Sequence, residues 1–151
     1  MDELVQWLGE QLDEDERIAR AAGGRIEIDY HWFEVSSAKH PGVVGTERGL
    51  LVTTDRALRE HAAHIAAHDP ARVLREIDAK RAIVDEHVLT VEKVDAAPYD
   101  SFTGERRSDV YDVTCAVCGW ANDDRTSGCR TLRLLASVYS DRPGYRQEWS
   151  Q

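Results

Sequence analysis

The sequence predicts an α+β fold, mostly helical, with a small antiparallel sheet or hairpin and a zinc-knuckle-like C-terminal region. Three observations carry that expectation. Apolar residues recur at helical spacing through much of the chain, one stretch near residue 30 alternates with a period of two, and Cys115, Cys118 and Cys129 gather toward the C-terminal end. A chain of 151 residues, 42% hydrophobic and 31% charged, is long enough for a single domain that buries its own core. Within it, residues 1–92 are expected to form a helical and hairpin core, 93–110 a mobile loop, and 111–151 the cysteine knuckle with a final helix.

The first expected element is a helix over 2–22. Leu4, Val5, Leu8, Leu12 and Ile18 mark one side, charged residues the other, and Gly23-Gly24 the stop. From Arg25 the pattern changes: Ile26, Ile28, Tyr30 and Trp32 alternate with Glu27, Asp29 and His31, as in a half-buried strand. Residues 36–49 hold Pro41, Gly42, Gly45 and Gly49 and read as loop, after which Leu50-Leu51-Val52-Thr53 suits a second strand pairing back onto the first. Such a hairpin needs helices against it to be stable.

Thr54 or Asp55 can cap a helix running to about His68. Asp69-Pro70 then starts another, with Asp at the N-cap and Pro at the first helical position, where its missing N–H is not needed. This helix, 70–88, carries Val73, Leu74, Ile77, Val84 and Val88 toward the core. The polar stretch Val94 to Ser108, with Pro98 and Gly104, reads as loop. Residues 131–139 place Leu132, Leu135, Ala136 and Tyr139 on one helical stripe, and Asp141-Arg142-Pro143-Gly144 turns the chain into a short tail bearing Tyr145 and Trp149.

Charge narrows the function classes. A formal net charge of −9, from 28 acids and 19 bases, disfavours direct nucleic-acid binding, which needs Lys and Arg to displace counterions. The first sixteen residues carry Asp2, Glu3, Glu10, Asp13, Glu14, Asp15 and Glu16 with no Lys or Arg, a solvated helix face or a surface for a basic partner. No apolar run approaches the roughly 18 residues of a membrane span. The acidic N-terminus differs from the basic start of a signal peptide, so a cytoplasmic location is expected. In a reducing compartment an odd number of cysteines suits metal ligation or free thiols better than a disulfide framework.

Zinc takes four ligands at tetrahedral angles, and Cys115-Ala-Val-Cys118-Gly119 has the form of a knuckle that presents two thiolates to one ion. Cys129, just before the last helix, supplies a third. For the fourth, His87 falls on the same side of its helix as Val73, Ile77 and Val84, at about 100° per residue. A polar ring buried there needs a partner, either a metal or a backbone carbonyl. The predicted metal ligands are therefore Cys115, Cys118, Cys129 and His87, with zinc in a structural role.

His61, His64 and His68 lie within an arc of about 60° on another helix. They offer a competing metal site, with His64 or His68 as other sources of the fourth ligand. The helical zinc-hydrolase pattern would need a glutamate where Ala66 or Ala67 stands. No Gly-x-Ser-x-Gly, phosphate loop or dinucleotide fingerprint is present. Trp7, Trp32, Trp120 and Trp149 are dispersed, as core or interface anchors would be.

Three segments resemble a family of small uncharacterised proteins of actinobacteria and their phages: Met1-Asp2-Glu3-Leu4 through the acidic run to Arg20, the block His64 to Arg81 containing His68-Asp69-Pro70, and the ending Cys129 to Trp149. The resemblance implies a phage or prophage context and no assigned activity. The family ending more often has His where Arg142 stands, so no ligand role transfers to that position, and relatives without the cysteines imply that any zinc is structural. The expected function is a non-enzymatic accessory or regulatory protein that binds another protein. The alternatives are a metal-dependent hydrolase or nuclease using His61, His64 and His68 with a carboxylate such as Asp69, and an acidic mimic of nucleic acid.

Overall fold

The computed structural model describes residues 3–24, 30–35, 42–53, 59–94, 110–120 and 128–150. They form helices α1 (Glu3–Gly23), α2 (Arg59–Ala67), α3 (Pro70–Glu86) and α4 (Arg130–Ser137), with strands β1 (Phe33–Glu34), β2 (Val43–Thr46), β3 (Gly49–Thr53), β4 (Leu89–Val94), β5 (Val110–Cys115) and β6 (Gly119–Trp120). The α+β expectation holds, with two small antiparallel sheets ordered β1-β2-β3 and β4-β5-β6. Among the described residues no helix is long and apolar enough to cross a membrane. The chain divides into two compact units, Leu12–Lys80 and Met1–Gln11 with Arg81–Gln151.

In the Leu12–Lys80 unit, α1 buries Leu12 and Ala19, while Ile18 is 49% exposed. The helical period explains the exchange: seven residues bring Ala19 back to within about 20° of Leu12, whereas Ile18 lies about 120° away. Most of the predicted strand over 26–32, including Ile26 and Ile28, lies outside the described residues; residues 30–32 are not in a strand, and the Trp32 N–H donates to Asp69 Oδ2 at 3.3 Å just before β1.

Of the expected loop over 36–49, residues 36–41 lie outside the described residues, and the remainder is corrected: Val43–Thr46 is a fully buried strand. It pairs with β1 on one side and β3 on the other, with an irregularity between Val44 and Gly45. The glycines that suggested a loop bracket and kink a central strand. The Leu50–Thr53 strand is present in β3, but its partner is β2 and not the first strand. Helix α2 packs on β1 and β2 and buries Ala62; its predicted caps Thr54 and Asp55 lie outside the described residues.

The Asp69-Pro70 corner forms as the residues dictate. Pro70 opens α3, and Asp69 Oδ1 accepts the Arg72 N–H at 2.6 Å, satisfying one of the helix's unpaired amides. Ile77 is buried; Val88, expected on the buried face, lies beyond the helix end and is 59% exposed.

In the other unit, Leu4, Trp7 and Leu8 at the start of α1 are buried, as are Leu132, Ala136, Tyr139 and Trp149 near the C-terminus. The tail lies against α1 through an aromatic cluster: the Trp7 ring is 5.1 Å from Trp149 and 5.7 Å from Tyr145, centroid to centroid. Trp7 Nε1–H donates to the Pro143 carbonyl at 3.1 Å, and Arg146 pairs with Glu3 at 2.6 Å. Gly144 permits this approach, because its φ of 84° is left-handed and a Cβ there would sit 2.8 Å from Trp7 Nε1. The sheet of this unit aligns Leu89 with Cys115 and Val94 with Val110; residues 95–109, most of the predicted loop, lie outside the described residues.

Candidate metal centre

The β4–β5 register is what assembles the site. Because Leu89 pairs with Cys115, and the Ala116 N–H continues the ladder to the Val88 carbonyl at 3.0 Å, the end of β5 lies beside the residues that follow α3. His87 is the first residue after that helix. Its N–H still reaches back to the Ile83 and Val84 carbonyls at 3.2 Å each, so the backbone is held while the ring turns inward. Cys115 ends β5, Ala116–Cys118 form the turn, and Gly119 opens β6 with φ 80°, a conformation that favours glycine. Cys129 is the N-cap residue of α4 and makes no side-chain capping bond, which leaves its sulfur to face the other donors.

These four side chains offer one donor atom each, all within 4.8 Å of one another. Metal–sulfur bonds of about 2.3 Å and metal–nitrogen bonds of about 2.0–2.1 Å at tetrahedral angles place two sulfurs about 3.8 Å apart and a sulfur about 3.6 Å from the nitrogen. In the protein, Sγ of Cys118 and Cys129 are 3.8 Å apart, and His87 Nδ1 lies 3.3, 3.4 and 3.4 Å from Sγ of Cys115, Cys118 and Cys129. A ring nitrogen carries at most one hydrogen and cannot donate to three sulfurs at once. These four distances match four of the six edges of such a tetrahedron, and all donors lie within 4.8 Å of one another, so the cluster could hold an ion such as zinc.

The surroundings also suit sulfur ligation. The Cys118 N–H donates to Cys115 Sγ at 3.4 Å, and the Thr131 hydroxyl lies 3.4 Å from Cys118 Sγ. That hydroxyl holds the Cys118 thiol below its usual range, whereas burial pushes the Cys129 thiol up to about 11. Cys115, Cys129 and His87 are buried and Cys118 is exposed; none of the three cysteines is in a disulfide.

The competing histidine row does not converge in the same way. His61, His64 and His68 are all exposed on or just beyond α2. The His64 and His68 rings lie 4.3 Å apart, and His68 Nδ1 is 2.9 Å from the His64 carbonyl oxygen, a local contact at the helix end. Asp69, the carboxylate suggested for that row, is occupied by the Arg72 and Trp32 amides. Among the described residues, His87 with the three cysteines is the one cluster of three or more His, Cys, Asp or Glu whose donor atoms converge.

The hairpin β4–β5, which sequence reasoning missed, is the feature that delivers His87 to the cysteines. Its signal was present in Leu89, Val91 and Val94 facing Val110, Val113 and Cys115, but the polar residues among them hid it. No curated protein and no solved structure matches the chain. The model of a family described as a family of unknown function, DUF6221, matches residues 1–151. The match spans every element described above, and the chain belongs to the DUF6221 family.

Proposed function

We propose that the chain is a non-enzymatic accessory or regulatory protein that acts by binding another protein, with a structural zinc ion held by His87, Cys115, Cys118 and Cys129. The observation that carries this reading is the four-donor tetrahedron, supplied entirely by protein side chains. A catalytic zinc keeps a position for water, whereas a structural one is closed by four protein ligands. Leu134 on α4 and Val138 at its C-cap are 60% and 63% exposed, and Val117 in the cysteine turn is 59% exposed. Apolar side chains displayed on a rigid scaffold suit a protein contact.

The acidic first helix is a weaker contact surface, because Glu14 pairs with Arg17 at 2.7 Å and Glu16 with Arg20 at 2.6 Å, offsetting much of its charge. A cytoplasmic setting, where thiols stay reduced, suits the centre. The phage or prophage context implied by the sequence resemblance suits a small accessory role.

The test is affinity capture with the wild-type protein beside a Leu134→Asp, Val138→Asp variant whose metal content and circular dichroism match wild type. The reading expects a defined partner with the wild type and at least a tenfold loss with the variant, of the size that follows from charging the centre of an interface, about 1.4 kcal/mol or more. Equal capture by both, or turnover of a substrate that depends on His61, His64 or His68, would contradict it.

A further inference from the structure

We infer that Cys118 is a modification site: the thiol through which a peroxide oxidises the centre, closing a Cys118–Cys129 disulfide and releasing the ion. The inference rests on the metal-centre reading above and adds regulation to it. Its basis is an asymmetry among the donors. Cys115 and Cys129 are 3% and 1% exposed, whereas Cys118 sits in the turn between β5 and β6 and faces solvent. An oxidant therefore meets one sulfur of the three.

The second step has its partner in place, since Cys129 Sγ lies 3.8 Å from Cys118 Sγ, and the two residues sit on separate segments, the cysteine turn and the start of α4. In the first step the Cys118 thiolate attacks one peroxide oxygen, the O–O bond breaks, hydroxide leaves, and the sulfur becomes a sulfenic acid. In the second, the Cys129 thiolate attacks the Cys118 sulfur, the S–O bond breaks, and hydroxide leaves and takes a proton from solvent as the disulfide forms. A disulfide is about 2.05 Å long, so closing the 3.8 Å gap destroys the tetrahedral edge and withdraws two of four ligands together. Cys115 is the less suitable resolving thiol: it is anchored in the β4–β5 ladder opposite Leu89 and receives the Cys118 N–H on its sulfur. Val117 lies in the cysteine turn and Leu134 on α4, the two elements the disulfide would draw together, so oxidation would reshape the proposed contact surface.

The experiment uses the full chain as purified, with its zinc content measured first. The protein is titrated with hydrogen peroxide while released metal is followed with a chromophoric chelator and the cysteines are mapped by mass spectrometry. The expected result is dimedone-trapped sulfenate at Cys118 ahead of the other two by about tenfold. A Cys118–Cys129 disulfide then accompanies metal release in equal amounts, and thiol reductant with added zinc reverses both. Cys118→Ala, if it still holds metal, releases it at least about tenfold more slowly at the same peroxide concentration. A zinc-containing protein in which Cys115 is oxidised first, or in which Cys115–Cys118 is the disulfide formed, overturns this inference and leaves the metal centre standing. A preparation that never contains metal overturns the underlying reading.

Discussion

Four side chains form the cluster that could hold a metal ion, and His87 is the one whose removal is most informative. It is 7% exposed and its Nδ1 touches all three sulfurs within 3.4 Å, so His87→Ala removes one vertex of the tetrahedron without disturbing the cysteines. The variant is expected to lose bound zinc and about 4 kcal/mol or more of stability, the range reached when a structural metal is lost. His64→Ala and His68→Ala, by contrast, should keep full metal content, because both side chains are exposed and their contacts are local. Elemental analysis and urea unfolding of the three variants check both statements. Gly144 offers a test unrelated to metal. Gly144→Ala places a methyl group 2.8 Å from Trp7 Nε1 on a residue with φ 84°, which should cost about 2–3 kcal/mol in urea unfolding and leave zinc content unchanged.

Among the elements, α3 shows how far local rules reach. Its start was legible because Asp-Pro fixes both a cap and a first helical residue, and Asp69 does hold the Arg72 amide. Asp69→Ala should destabilise the protein by about 1–2 kcal/mol, and Asp69→Asn by less, since its one amide oxygen can still cap Arg72 while the Trp32 N–H loses its acceptor; thermal unfolding of the pair checks this. The end of α3 was less legible. The helix stops at Glu86, where the Val88 carbonyl turns to the Ala116 N–H and the His87 ring to the three cysteines, contacts with residues far along the chain. Strand β2 went unread for a similar reason: a four-residue strand containing Gly45 has too little pattern of its own, and its burial is set by β1, β3 and α2. Period-two alternation did not extend to Trp32, whose amide bonds to Asp69 just before β1.

At the scale of the whole molecule, the fold class and the composition of the site were legible, whereas the topology that joins them was not. Cys-x2-Cys, a third cysteine before a helix and a histidine expected on a buried helical face pointed to the four side chains that cluster in the structure. The apolar residues of β4 and β5 were only a faint signal, broken by polar neighbours, of the pairing that brings His87 beside the cysteines. The central claim is that a metal ion occupies this cluster and holds its segments together. The most direct measurement is thermal unfolding of protein purified without chelators, by circular dichroism, with elemental analysis of the same sample before and after exhaustive chelation. The account predicts one zinc per chain, a cooperative transition, and a melting temperature that falls by at least about 10 °C when the metal is stripped and recovers when zinc is restored. A metal-free protein that unfolds cooperatively, with a midpoint that chelator and added zinc leave unmoved, would contradict it.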